Sequence, residues 1–219
     1  MIVELRQYAL HPGARERLID LFEREFVESQ EAAGMKLIGQ FRDLDDPDRF
    51  VWLRGFPDME SRRRSLEAFY DGPVWMAHRA AANATMISSD DVLLLEPADP
   101  ASDFVPGNRR PRGVSGPGAG RIIGGVHALG APEDRLPNRF RDETAVALRN
   151  AGAASVTTLV SRNGANTYPR LPVREGERVL VWFAAFADPR AADAVHPVLP
   201  GRLVQPLRLE PTARSRLHG

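Results

Sequence analysis

The chain has 219 residues, 43% of them hydrophobic, and its 29 basic and 29 acidic side chains cancel to zero net charge. It is apolar enough to bury a core, and too balanced in charge for a disordered chain or for the basic excess of a nucleic-acid binder. The absence of cysteine excludes disulfides, thiolate catalysis and cysteine-ligated metal centres. With no apolar run near the roughly 20 residues of a membrane span and no secretory signal, a cytoplasmic protein is expected.

The opening segment IVELRQYAL predicts a strand. Its alternation puts Glu4, Arg6 and Tyr8 on one face and Val3, Leu5 and Gln7 on the other. From about Ala14 to Ala33, Leu18, Leu21, Phe22 and Phe26 fall on one helical stripe, and Gly34 follows where a left-handed cap is wanted. MKLIGQF and RFVWLRGF predict two more strands around the acidic turn Asp45-Asp46-Pro47. A second helix is predicted over Met59–Met86, broken near Gly72-Pro73, and VLLLEPA follows as a fourth strand. Residues 98–120, rich in Pro and Gly, read as a linker.

The order then repeats. RIIGGVHAL, a helical stretch to Ala151-Gly152, ASVTTLV, VLVWFAAFAD, a short segment and LVQPLRLEP form the second half. Leu18 and Phe22 stand sixteen and twelve residues before Gly34, and Leu136 and Phe140 stand at the same offsets before Gly152. Both halves close on Leu-Glu-Pro, so the chain reads as an internal duplication of a β-α-β-β-α-β unit. The expected organisation is a first unit at 1–97, the linker at 98–120, a degenerate second unit at 121–211 and a tail at 212–219. The halves carry net charges of −6 and +6, which suits an intramolecular pair. They differ at the second helix, shortened in the second unit to Asp188–Gly201 with three prolines, and at a long excursion over Ser161–Glu177.

IVELRQYALHPG, KLIGQF, FVWLRGFPDMESRRR and GPVWMAHRAAA resemble the NIPSNAP family, a branch of the dimeric α+β barrel superfamily. The resemblance covers most of residues 1–97, and the second half is a weaker copy. It implies an α+β fold of two ferredoxin-like units fused in tandem, their sheets facing each other as an intramolecular dimeric α+β barrel. It implies no particular reaction. The wider superfamily includes cofactor-independent monooxygenases, isomerases and cyclases, and haem-binding proteins, with small-molecule pockets between sheet and helices.

Against that background, Glu4, Arg6 and Tyr8 admit two readings. They line a pocket, with Tyr8, or His127 at the matching position of the second unit, transferring a proton. Alternatively, a Glu4–Arg6 pair fixes strand register. On the third strand Trp52, Arg54 and Phe56 share a face, matched by Trp182, Ala184 and Phe186. Arg54 either binds an anionic substrate group or bridges Glu4. His78, in FYDGPVWMAH, is faintly similar to the haem-ligating helix histidine of haem-degrading relatives. The strand-one asparagine of those relatives is missing here, and the tryptophan they keep is replaced near Phe69. Arg62-Arg63-Arg64 reads as a solvated helix face. The function expected is a cofactor-independent small-molecule enzyme of monooxygenase, isomerase or cyclase type acting on a hydrophobic or aromatic metabolite. Tyr8, His127 and Arg6 are its candidate catalytic residues, and Glu4, Trp52, Arg54 and His78 its candidate substrate contacts. The alternatives are a non-catalytic interaction protein and a haem protein using His78. A small-molecule substrate and no nucleic-acid or membrane partner are expected, and the assembly is left open between the single fused chain and its homodimer.

Overall fold

The computed structural model describes residues 1–99, 102, 104, 107–109, 111–130, 135–195 and 201–219. Strand β1 (Ile2–Leu10) leads into a helix made of α1 (Arg15–Leu21), a π-helical turn (Phe22–Phe26) and α2 (Val27–Ala32). Strands β2 (Lys36–Asp43) and β3 (Arg49–Phe56), helices α3 (Met59–Tyr70) and α4 (Pro73–Asn83) and strand β4 (Met86–Pro97) complete the first unit. The second unit runs β5 (Arg121–Ala128), α5 (Leu136–Arg139), a π-helical turn (Phe140–Thr144), α6 (Ala145–Asn150), β6 (Ala153–Ser161), β7 (Val179–Phe186), α7 (Pro189–Ala194) and β8 (Arg202–Pro211).

The duplication is therefore physical as well as textual. Phe22 and Phe140 each open a π-helical turn, and Gly34 and Gly152 adopt φ of +93° and +102° at the two helix ends. Only glycine takes such a cap without steric cost. Asp58 caps α3 by accepting from the Ser61 backbone N–H at 2.6 Å, and Pro73 starts α4 where a missing N–H costs nothing.

The eight strands form one closed barrel in the order β1-β3-β2-β8-β5-β7-β6-β4. Each unit supplies four neighbouring strands. The two sets join edge to edge where Phe41 meets Pro211 and where Leu95 meets Ser161, so no strand edge is left open. One face of each strand fills the barrel: Val3, Leu5, Val51, Leu53, Val126, Val181 and Leu209 belong to this interior cluster. The other face meets the outer helices, and Tyr8, Phe22, Phe26, Trp52, Phe69 and Tyr70 form that layer in the first unit.

The segments read as a linker and a tail are built into the core. Phe104 joins the barrel interior with its ring 6.0 Å from that of Phe183, and Leu217 joins the same cluster. The Thr212 N–H donates to the Gln40 carbonyl at 2.9 Å, and the Gln40 N–H donates to Ser215 Oγ at 3.2 Å. Each segment offers a single large apolar residue, too little for a periodic signal but enough to anchor it. The excursion of the second unit, residues 162–178, crosses to the first unit. There Tyr168 stacks on Tyr70 (22° between rings), Arg170 pairs with Asp71 at 2.8 Å, and Arg174 with Asp91 at 3.0 Å.

Candidate functional site in the first unit

The antiparallel register of β1 and β3 sets Glu4 directly opposite Arg54, and Arg6 opposite Trp52. Alternation turns all four toward the helices. Glu4 Oε2 accepts from Arg54 Nε at 2.6 Å and from Arg6 Nη1 at 2.9 Å, while its Oε1 accepts from Arg62 Nε, on α3, at 2.6 Å. All four residues are at most 1% exposed. Burial alone would raise the Glu4 pKa, but the three guanidinium groups outweigh it and hold the carboxyl far below the ordinary range. Three other donors reach outward: Arg54 Nη1 to Gln30 Oε1 at 3.1 Å, Arg62 Nη1 to Asn166 Oδ1 at 3.0 Å, and Arg6 Nε to Tyr8 Oη at 3.2 Å.

Tyr8, Gln30 and Trp52 then line a cavity of about 30 Å³ between the sheet and the helices, closed by Phe22, Phe26, Phe69, Tyr70 and Trp75. The volume suits a water or two. Burial raises the Tyr8 pKa and Arg6 opposes it only in part, so the phenol keeps its proton at neutral pH. Since the Tyr8 oxygen already accepts the Arg6 N–H, its own hydrogen is free for a partner in the cavity it lines. Tyr8 is thus placed as a donor rather than a base. The Arg6 and Arg54 guanidinium carbons lie 5.5 and 5.0 Å from the Trp52 ring centre, within cation–π range.

The sequence candidates divide accordingly. Tyr8, Arg6, Glu4, Trp52 and Arg54 come together, with Glu4 and Arg54 behind the cavity wall rather than in it. His127 does not join them. It lies on β5, separated from β1 by three strands in either direction, so Tyr8 and His127 occupy opposite walls of the barrel. His127 is buried and its Nε2 accepts from Trp182 Nε1 at 3.3 Å, in space left by Gly125. Desolvation lowers its pKa, which keeps the ring neutral. His78 stands apart from the cavity as well. Its Nε2 stands 3.6 Å from Glu25 Oε2, its ring edges against Phe26, and it does not line the cavity. A helix histidine facing a carboxylate outside the pocket does not fit an axial haem ligand.

Arg62, Gln30, Asn166 and Tyr168 were not legible as site residues. Arg62 hides in a run of three arginines of which Arg63 and Arg64 pair with Glu60 and Glu67 outside. The available signal is helical spacing, because Arg62 lies four residues before Leu66 and seven before Phe69 on the buried stripe of α3.

The second unit offers a different surface. With Gly125 for Arg6, Ile123 for Glu4 and Ala184 for Arg54, its outer face has no charged cluster at these positions. Among the described residues it carries an apolar cleft of about 340 Å³ lined by Ile123, Gly124, Trp182, Leu203 and Pro206, with Asp193 and Arg208 also on its wall.

Two βαββαβ units closed into one eight-stranded barrel, with helices outside and a buried polar cluster under one helical layer, define a dimeric α+β barrel fused in a single chain. The chain belongs to the NIPSNAP family, whose model matches residues 3–101. A NIPSNAP-like domain protein from Burkholderia xenovorans is 30% identical over 44% of this chain and 84% of its own, with a TM-score of 0.41. The whole barrel is matched by a candidate monooxygenase from Lactobacillus acidophilus, at 12% identity over 98% of this chain and 96% of its own (TM-score 0.56). A candidate monooxygenase from Fusobacterium nucleatum matches at 8% identity over 96% and 91% (TM-score 0.57). These two likenesses show the fold. No curated protein matches the chain. Among the described residues no helix is long and apolar enough to cross a membrane.

Proposed function

We propose that the first unit binds a small hydrophobic or aromatic molecule between sheet and helices and transforms it without a resident cofactor, with Tyr8 as proton donor. One observation carries this reading: a protonated phenol on the wall of an aromatic cavity, its oxygen held by a buried arginine. Such a donor stabilises an oxyanion as it develops while water takes the carbon-bound proton, and the enolate or phenolate so formed is the intermediate common to oxygenation by dioxygen, isomerisation and cyclisation of activated carbonyl compounds. Arg6 positions the phenol and supports the charge from behind. The cavity is small as it stands, so uptake requires its aromatic wall, including Tyr70 on which Tyr168 stacks, to move. The monooxygenase-like fold of the whole-length structural neighbours supports the reading at the level of fold.

The test is deuterium exchange at the central carbon of pentane-2,4-dione, followed by NMR with and without the protein. Exchange faster than buffer, reduced about 100-fold in Tyr8→Phe, is the expected result. A protein that never exceeds buffer would count against a proton-transfer site.

A second reading has its own observation. Glu4 ties β1, β3 and α3 together through three arginines, and Arg62 extends the tie to the excursion. In an interaction protein that cluster would only be a clasp. Tyr8→Phe would then change stability slightly and chemistry not at all.

A further inference from the structure

We propose that the molecule taken up by the first unit is an anion in its ground state, a carboxylate or enolate on a hydrophobic body, selected by guanidinium charge that the protein leaves uncompensated. The inference rests on the reading of the Tyr8 cavity as a ligand site and adds the substrate class. Arg6, Arg54 and Arg62 are permanently cationic. Among the described residues Glu4 is the one carboxylate that touches them, so three buried cations meet one buried anion. The other titratable groups facing Arg6 are the phenols of Tyr8 and Tyr70. Arg54 Nη2 and Arg62 Nη2 are buried with no hydrogen-bond partner among the described residues. An excess of two positive charges away from water is unfavourable unless an anion comes close.

The excess stands one residue behind the cavity. Arg54 holds Gln30 and lies against Trp52, and Arg6 holds Tyr8; Gln30, Trp52 and Tyr8 are all cavity wall. An anion placed there accepts the free Tyr8 hydrogen and feels the arginines through a medium of low dielectric. A neutral amide of the same shape also accepts that hydrogen but gains nothing from the arginine charge. The second unit has Gly125, Ile123 and Ala184 at the corresponding positions, so the selectivity belongs to the first unit alone.

Benzoate and benzamide have nearly the same shape and differ in charge, and their affinities for the full chain can be compared by calorimetry at low salt. Benzoate is expected to bind at least 10-fold more tightly. Glu4→Gln, which raises the excess from two charges to three, should tighten benzoate further and leave benzamide unchanged, while Trp182→Phe in the second unit should change neither. If Glu4→Gln fails to fold, the wild-type comparison decides alone. Equal affinities would overturn the anion inference and leave the cavity reading standing. If neither compound bound, to the wild type or to Tyr168→Ala, both would fall.

Discussion

The side-chain amides of Gln7 and Gln205 exchange two hydrogen bonds, 3.0 and 2.7 Å long, inside the barrel, although β3 and β2 separate their strands. Both residues alternate with interior residues, Leu5 on β1 and Leu207 on β8, so the pair spans the lumen and links the two units. Each amide satisfies the other where water is largely excluded.

Removing one partner leaves the other amide unmet. Gln7→Leu is expected to cost about 2 kcal/mol in urea unfolding, and Gln205→Leu a similar amount. The double variant should cost clearly less than the sum, since both polar groups then disappear together. Additive losses would show that the pair does not act as a unit.

Glu4 is the centre of its cluster, and breaking it leaves three buried cations without a counter-ion. Glu4→Gln should cost about 4 kcal/mol. The pH dependence has a definite sign. A carboxyl whose pKa is depressed on folding stabilises the protein above the pKa it has when unfolded, and that stability is lost as pH falls toward its folded value. Wild-type stability should therefore drop from about pH 5 downward, and Glu4→Gln should be the flatter of the two. The same logic separates three adjacent arginines. Arg62→Leu should destabilise strongly, while Arg63→Ala and Arg64→Ala should leave the unfolding midpoint where it is.

His127 carries the same sign in a higher pH window. Desolvation lowers its folded-state pKa, so as pH falls through about 6.5 the unfolded chain takes up a proton that the folded one refuses. Stability should decline over that window in the wild type and less so in His127→Phe. Identical slopes between pH 7 and 5 would mean that the ring titrates freely in the fold.

Tyr168 secures the excursion to the first unit; the ion pairs around it are exposed and add little individually. Tyr168→Ala, which empties a buried aromatic site, should cost about 3 kcal/mol, and trypsin cleavage at Arg162, Arg170 or Arg174 should become at least 10-fold faster. Unchanged cleavage would show that the excursion is held elsewhere.

Strands, helices, caps and the duplication were readable because each is written in local period or in fixed offsets from Gly34 and Gly152. The β1 face was readable for the same reason: alternation alone groups Glu4, Arg6 and Tyr8. What lay beyond reach depends on contacts between distant segments. Nothing near Asn166 signals that it will accept from Arg62, 104 residues earlier. Phe104 and Leu217 each stand alone in polar surroundings, and only the closed barrel shows that they fill its interior. Tyr8 and His127 are matching positions of two different units, and only closure of the sheet shows that they stand on opposite walls.

The fused architecture has a consequence for how such a barrel changes over time. In an assembly of two identical chains, every substitution appears twice, and a strand residue that suits one wall must be tolerated by the other. Here a single substitution is felt once. Arginine at position 6 and glycine at position 125 could diverge independently, and the excursion that covers one half needs no counterpart covering the other. One half is released to lose its polar cluster, so the other can be refined without a symmetric compromise.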